Sequence, residues 1–278
     1  MRTLTRALPL ALAAALLILF AVACSSGGEQ TVGDDGSGDS SGDLVSATPL
    51  EALSASGERF QEEVESLQME MEFTINAGGF VVDTSASMAF QAPDQMHLTT
   101  DVTGLGTFEM LVLGSDIYVN IPLQGWIVFS LDDLGLGEFL DTESFQDMFT
   151  DHSLVDYAAL IESVGGDVED LGEETVDGNT YRHYAGTLDF ADLTAAFSDA
   201  FGTSEGIDLE DVSGPLTFDA WVDPDTFLPY KLTASGEFPF GAGAMVFDAS
   251  MLFSSYNEVV EIPGPPPDAI PFTLLGGP

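Results

Sequence analysis

Basic residues and cysteine are scarce in this chain, and each shortage removes a class of function. Against 47 aspartates and glutamates stand only Arg2, Arg6, Arg59, Arg182 and Lys231, for a formal charge of −42. Nucleic acid is excluded as a partner, because binding to phosphates needs clustered Lys and Arg. Tight docking on anionic lipid headgroups is disfavoured for the same reason. No basic residue lies between Arg59 and Arg182, so ion pairs are not a main source of stability. The single cysteine, Cys24, rules out a disulfide within the chain, and an extracytoplasmic fold built from it stands on packing alone. The three histidines, His97, His152 and His183, have no metal-ligand spacing to one another, and no cysteine is free to join them. There is no Gly-rich phosphate loop and no dinucleotide fingerprint. Gly202-Thr203-Ser204-Glu205-Gly206 fits the nucleophile-elbow string, but that motif needs a strand before the serine and a helix after it. Here a helix is expected before it and an acidic loop after it. Asp34 to Asp39 looks a little like a calcium loop but lacks the closing glutamate, and Asp223-Pro224-Asp225 reads as a hairpin turn. The expectation is a protein that is not an enzyme and has no cofactor or metal.

What is present begins at the N-terminus. Arg2 and Arg6 precede an apolar run from Ala7 to Ala23 that ends in Ala21-Val22-Ala23-Cys24. A basic start, a short apolar stretch and small residues before a cut describe a secretory signal peptide, and the run is short for a membrane span. Residues 1–23 are therefore read as a signal peptide of the lipoprotein type, with Cys24 as the thiol that carries diacylglycerol. Ser25 to Ser46 is mostly Gly, Ser and Asp. Such a segment cannot bury enough surface to offset its ordering entropy, so 24–47 is read as a flexible tether. The expected location is the extracytoplasmic side of a cell membrane, in the cell envelope, held there by the Cys24 lipid.

Two readings of the acidity stay open: adaptation to a saline habitat, or a functional acidic face for cations or a basic partner. The acids are spread along the whole chain, which favours the first. Either way, self-repulsion opposes the compact state and salt relieves it.

The folded part runs from 48 to 262. Thr48-Pro49 opens a helix as cap and first-turn proline, and the spacing of Leu50, Leu53, Phe60, Val64 and Leu67 predicts a helix over 48–67. The period then changes to two. Gln68 to Asn76 alternates without a fault, with Met69, Met71, Phe73 and Ile75 on a dry face. Further strands are predicted over 80–91, 96–102, 107–113, 116–121 and 125–130, with tight turns between them, an antiparallel meander. Leu131 to Val164 has helical spacing, and Asp189 to Phe201 predicts a further helix. Strands resume over 168–176, 180–188, 215–222, 227–238 and 244–259. Residues 263–278 form a Pro-rich C-terminal tail without regular structure. The fold class is α+β: a single long curved antiparallel sheet, with helices packed on its concave side.

Four stretches carry a resemblance. They are Gly114-Ser115-Asp116-Ile117-Tyr118-Val119 with Gln124-Gly125-Trp126; Val176-Asp177-Gly178-Asn179-Thr180-Tyr181-Arg182-His183-Tyr184; Ala220-Trp221-Val222-Asp223-Pro224-Asp225-Thr226-Phe227-Leu228-Pro229-Tyr230-Lys231-Leu232; and Tyr256-Asn257-Glu258-Val259-Val260-Glu261-Ile262-Pro263. Together they resemble the LppX/LprG-type lipoproteins of the wider LolA/LolB lipoprotein-carrier superfamily, over about Thr48 to Pro267. The resemblance implies a half-open β-barrel capped by helices around an apolar cavity that holds acyl chains. This sequence departs from it in its acidity and near lack of lysine.

A carrier of lipid needs no reactive group. It needs sheltered apolar surface that its own side chains do not fill, and flexible Met side chains suit a variable cargo. The residues expected to line such a cavity are Met71, Phe73, Met88, Phe90, Met96, Leu98, Phe108, Met110, Met245, Phe247, Met251 and Phe253. The plainer reading is that Met and Phe on the inward side of a sheet are core. The expected function is therefore a membrane-anchored protein that binds or carries lipid or lipoprotein acyl chains, with envelope proteins as possible partners. The alternative is a non-catalytic surface binding or structural module of the same fold, with a packed core and protein partners.

Overall fold

A computed structural model describes residues 48–130, 166–191, 213–240 and 243–271. The expected signal peptide, Cys24, the expected tether, the helices expected over 131–164 and most of the helix expected over 189–201 lie outside the described residues.

One helix, α1 (Pro49–Glu63), leads into the sheet. Thr48 caps it in full. Its hydroxyl accepts from the Glu51 N–H at 3.3 Å, and the Glu51 carboxylate accepts from the Thr48 N–H at 2.7 Å. This reciprocal box satisfies two of the otherwise unpaired groups of the first turn. The Thr48 N–H foremost, and then the Thr48 hydroxyl donating to the same carboxylate at 2.8 Å, hold the Glu51 carboxyl below its ordinary range. The helix ends four residues earlier than its spacing predicts. Leu67 fits the helical stripe, but it also fits the parity of the first strand, and the strand takes it.

Twelve strands form one open, curved sheet. They are β1 (Ser66–Ala77), β2 (Phe80–Gln91), β3 (Gln95–Val102), β4 (Gly106–Leu113), β5 (Asp116–Ile121), β6 (Gly125–Ser130), β7 (Asp167–Val176), β8 (Asn179–Asp189), β9 (Pro215–Val222), β10 (Pro229–Phe240), β11 (Gly243–Ser254) and β12 (Ile270–Pro271). The spatial order is β12-β6-β5-β4-β3-β2-β1-β11-β10-β9-β8-β7. Two meanders are thus joined where β11 pairs with β1. The sheet is not wholly antiparallel as expected: Ile270 and Pro271 pair in parallel with Ile127 and Val128 of β6. The tail after the prolines therefore returns to the sheet edge, which corrects the reading of 263–278 as without regular structure. The last long strand also stops short of its predicted end at 259, because Ser255 and Asn257 take positive φ of 55° and 57°.

Asn257 shows why that terminus is fixed. Its backbone N–H donates to the Ser66 carbonyl at 2.8 Å. Its side-chain oxygen accepts from the Glu65 N–H at 2.7 Å, and its side-chain nitrogen donates to the Glu63 carbonyl at 2.8 Å. One residue after β11 thereby ties down the helix-to-strand junction 192 positions earlier. Asn tolerates the left-handed backbone that this geometry needs.

The alternation in β1 sorts the faces. Met69 and Met71 are buried, while Glu70 and Glu72 are exposed. Pairing carries that parity across the sheet, so each strand has an inner face toward α1 and an outer face. The inner face holds two core clusters. The first joins Phe60 of α1 to Leu67, Met69, Met88, Leu98 and Phe253. The second joins Ala52 and Leu53 of α1 to Tyr184, Leu216, Val222 and Phe238. Phe60 meets the rings of Phe253 and Tyr256 edge-on, at 6.1 Å in each case. Each fully buried side chain of this size contributes about 1.5–3 kcal/mol, which is how a chain without disulfides and with few ion pairs holds together.

Candidate functional site

The inner face of β4, β5 and β6 is apolar throughout. Phe108, Met110 and Val112 point inward from β4, Ile117, Val119 and Ile121 from β5, and Ile127 and Phe129 from β6, with parity fixed by the pairs Met110↔Val119, Val112↔Ile117, Ile117↔Phe129 and Val119↔Ile127. Register extends this into rows that cross the sheet. One row runs Phe253, Met69, Met88, Leu98, Met110, Val119, Ile127, through seven strands. Neighbouring strands lie about 4.8 Å apart, so this is a continuous apolar track of roughly 29 Å.

Burial is uneven along it. Phe253, Met69, Met88 and Leu98 are buried, whereas Met110, Val119 and Ile127 are half-buried. Of the residues expected to line a cavity, Met71, Phe73, Met88, Phe90, Met96, Leu98, Met245 and Phe253 are buried in the two clusters. Phe108, Met110, Phe247 and Met251 keep part of their surface accessible. Register brings Met71 opposite Met251, Phe90 opposite Met96, and Leu98 opposite both Met88 and Met110. Among the described residues, the β4–β6 part of this surface is apolar and has no titratable side chain.

On the β7–β8 side, the inner face gains charge. Arg182 donates through Nε to both carboxylate oxygens of Asp170, at 2.9 and 3.0 Å, and its Nη2 joins the same carboxylate. Burial pushes the Asp170 carboxyl up, but the Arg182 hydrogen bond and the Gly172 N–H outweigh it, and the net displacement is downward.

The outer face carries a polar cluster that the sequence does not announce. His183 stacks on Trp221 with ring centroids 4.4 Å apart. Its Nδ1 lies 2.9 Å from Glu174 and its Nε2 2.8 Å from Asp219. The Trp221 indole N–H donates to Glu174 at 2.8 Å, and the Lys231 ammonium sits 5.3 Å from the Trp221 ring centre. Beside it Tyr181 and Tyr230 stack at 4.0 Å. The Tyr230 hydroxyl donates to Asp177 at 2.7 Å, and this hydrogen bond, with burial and the Asp177 charge, pushes the phenol up to about 12. A groove of about 420 Å³ runs alongside, lined by Glu70, Glu72, Ser85, Ser87, Asp101, Asp177 and Lys231 among others. His97 and His183 both lie on the outer face. No group of three or more His, Cys, Asp or Glu suited to a metal ion occurs among the described residues, and no described helix is long and apolar enough to cross a membrane.

No protein-family model matches the chain. A curated relative, an uncharacterised 31.2 kDa protein from the rplA–rplJ intergenic region of Streptomyces griseus, is 30% identical over 166 residues, 56% of this chain and 50% of the relative. The chain thus spans about half the length of that protein. Among solved structures, lipoprotein LppX of Mycobacterium tuberculosis is 16% identical, with 77% of this chain and 97% of that one covered and a TM-score of 0.46. LprF of Mycobacterium bovis is 14% identical, with 78% and 96% covered and a TM-score of 0.43. A LolA superfamily protein of Nitrosomonas europaea is 12% identical, with 78% and 96% covered and a TM-score of 0.27. LppX is one of the lipoproteins that the motifs resemble. At these TM-scores the likeness assigns neither cargo nor site.

Proposed function

We propose that the protein is a membrane-tethered lipoprotein of the cell envelope that takes lipid acyl chains, free or protein-linked, against the inner face of its sheet. The observation that carries this is the half-buried apolar face of β4–β6, continuous with the buried rows of β1–β3 and lacking any polar side chain. Each acyl methylene removed from water there contributes about 0.8 kcal/mol, before the costs of association and ordering. Cys24, carrying diacylglycerol after removal of 1–23, holds the protein at the membrane, and 24–47 gives it reach. Phe108, Met110, Phe247 and Met251 are the contact residues. The more deeply placed members of the predicted lining set, such as Met71 and Met88, form the floor beneath them.

The burial of that floor favours a second reading, a packed binding module whose partners are proteins. Organic extraction of the purified chain separates the two. The carrier releases lipid in excess of any acyl groups covalently held by Cys24, and takes up a fluorescent fatty acid afterwards. A chain that releases none and takes up none is the module.

A further inference from the structure

Charge is distributed unequally between the two ends of the sheet. The β1–β2, β3–β4 and β5–β6 turns lie at one end, as the closing pairs Ala77↔Phe80, Val102↔Gly106 and Ile121↔Gly125 fix. The β10–β11 turn joins them, because Met245 pairs with Ala77. In a chain with 47 acids, the described residues that form these tips, 73–82, 102–108, 117–130, 238–240 and 243–247, include no charged side chain. Every turn at the opposite end of the meanders carries or directly adjoins an acid: Asp94, Asp116, Asp177, Asp223 and Glu258. Asp167 and Asp189 mark where the uncharged zone stops on the β7–β8 side.

The uncharged tips are also apolar and exposed. Phe80 and Val81 are 49% and 47% exposed, and Leu123 is fully exposed. Leu123 further holds a φ of 70°, a backbone region that Gly or Asn enters at far lower cost. An apolar side chain that touches nothing, on a backbone that disfavours it, contributes nothing to folding. Strain of this kind in a native structure points to a role outside it. The β3–β4 and β5–β6 tips adjoin, with Pro122 Cγ 3.6 Å from the position a Cβ on Gly106 would take. The β3–β4 turn also lies beside β2, where the Thr103 N–H donates to the Asp83 carbonyl at 3.0 Å, so the three tips are neighbours along one end of the sheet.

We infer that this end of the sheet docks on a lipid bilayer, with Phe80, Val81 and Leu123 entering the interface between headgroups and acyl chains. The occupant follows from charge and from connectivity. With no basic residue the patch gains nothing from anionic headgroups, and with no acidic residue it is not repelled by them, so an uncharged, zwitterionic surface fits it. Trp126, at the root of the β5–β6 tip, suits the boundary where indoles concentrate. The last turn of α1 lies at the opposite end, where the Glu63 carbonyl accepts from Asn257 and Phe60 meets Tyr256, so the helix starts from the side of the uncharged tips. The stretch from Cys24 to Thr48 therefore enters the fold on the docking side, and a flexible segment of that length has a reach of roughly 27 Å. This last argument, and only this one, rests on the tethered reading proposed above.

The chain has two tryptophans, Trp126 and Trp221, and Trp221 stands beside the acidic Asp223 turn at the far end. The test uses the full chain on phosphatidylcholine vesicles with brominated acyl chains, in Trp221→Phe and Trp126→Phe variants that each leave one reporter. Trp126 fluorescence should be quenched and Trp221 fluorescence should not. Adding Phe80→Asp and Leu123→Asp should lower Trp126 quenching to the Trp221 level while the urea midpoint holds, since both sites are exposed. Equal quenching of both tryptophans, or Trp126 quenching that survives the two aspartates, overturns the inference, as does docking on a protein partner with no vesicle contact. Intact mass reports acylation of Cys24 independently. An unacylated chain that still shows the contrast upholds docking and sinks the tether, and an acylated chain without the contrast does the reverse.

Discussion

Met110→Asp is the most direct probe of the inner face. Met110 lies mid-track, between Leu98 of β3 and Val119 of β5, and it is half-buried. The new carboxylate can stay hydrated in the empty protein, so the fold loses about 1 kcal/mol, the ordinary effect of a substitution. A bound acyl chain faces a larger cost. Burying the carboxylate beneath it carries a desolvation penalty of several kcal/mol, so the chain must leave that stretch wet. With strands about 4.8 Å apart, a hydrated zone reaching halfway to each neighbouring strand spans about one spacing and removes about three or four methylenes from contact. At about 0.8 kcal/mol each the loss is about 3 kcal/mol, or roughly 100-fold in affinity. Ser87→Asp is the matched control. It adds the same charge on the exposed outer face of β2, opposite Glu70. Titration of a fluorescent fatty acid, with urea midpoints measured in parallel, gives both quantities. Binding of the Met110 variant within threefold of the parent, or equal weakening by Ser87→Asp, would falsify the assignment of the inner face as the binding surface.

Other consequences concern stability. Asn257→Ala removes both side-chain bonds to the helix-to-strand junction and puts a Cβ-bearing residue other than Asn in the left-handed region, for an expected loss of about 2–4 kcal/mol; Asn257→Gly, which restores only the backbone, should recover part of it in urea unfolding. The Tyr230 phenol is raised to about 12 by its bond to Asp177, above its unfolded value of about 10. Its contribution is therefore fully present below pH ~10 and is lost as pH rises toward ~12, so the stability gap between the parent and Tyr230→Phe should close across that window, with one tyrosinate absorbance step near 12 missing from the variant. With 47 acidic residues against 5 basic ones, NaCl should raise the thermal midpoint by screening, mostly below the concentration at which the Debye length falls to a few ångströms; a midpoint that stays flat or falls between low and high salt contradicts this.

Much of the fold was legible because period two is a local signal. Asp116–Ile121, Gly125–Ser130 and Pro215–Val222 coincide with their predicted spans. The misplaced ends have physical reasons. Leu67 satisfies two periods at once, and Tyr256 and Val259 continue an apolar pattern that the positive φ of Ser255 and Asn257 interrupts. β12 carries no periodic signal in two residues, and its pairing depends on where the tail returns. The inner face was legible as parity but not as accessibility. Met88 and Met110 belong to the same row and look alike in sequence. Met88 lies in the cluster that Phe60 of α1 joins, while Met110 lies two strands further out, at that cluster's margin. The cluster of His183, Glu174, Asp219 and Trp221 draws on three strands, and nothing local in the sequence states that β7, β8 and β9 are neighbours in that register.

The two edges of the sheet bear on what the acidity does. β7 is an outer edge, and its sequence DVEDLGEETV carries five acids, with a bulge between Asp170 and Gly172. Charge and bulge are the usual protections against edge-to-edge pairing of sheets. β6, at the opposite edge, is GWIVFS without a charge, and among the described residues it is paired on that side only at Ile127 and Val128, by the returning tail. An open sheet with a half-buried apolar inner face and one lightly covered apolar edge is prone to associate with copies of itself. A net charge of −42 opposes that association at long range while leaving the inner face of β4–β6 and the uncharged tips free of acid. On this argument the acids do not mark a binding site. They are placed where they keep apolar working surfaces soluble, and their spread along the chain, with gaps at one end of the sheet and along the inner face of β4–β6, is the pattern such a role requires.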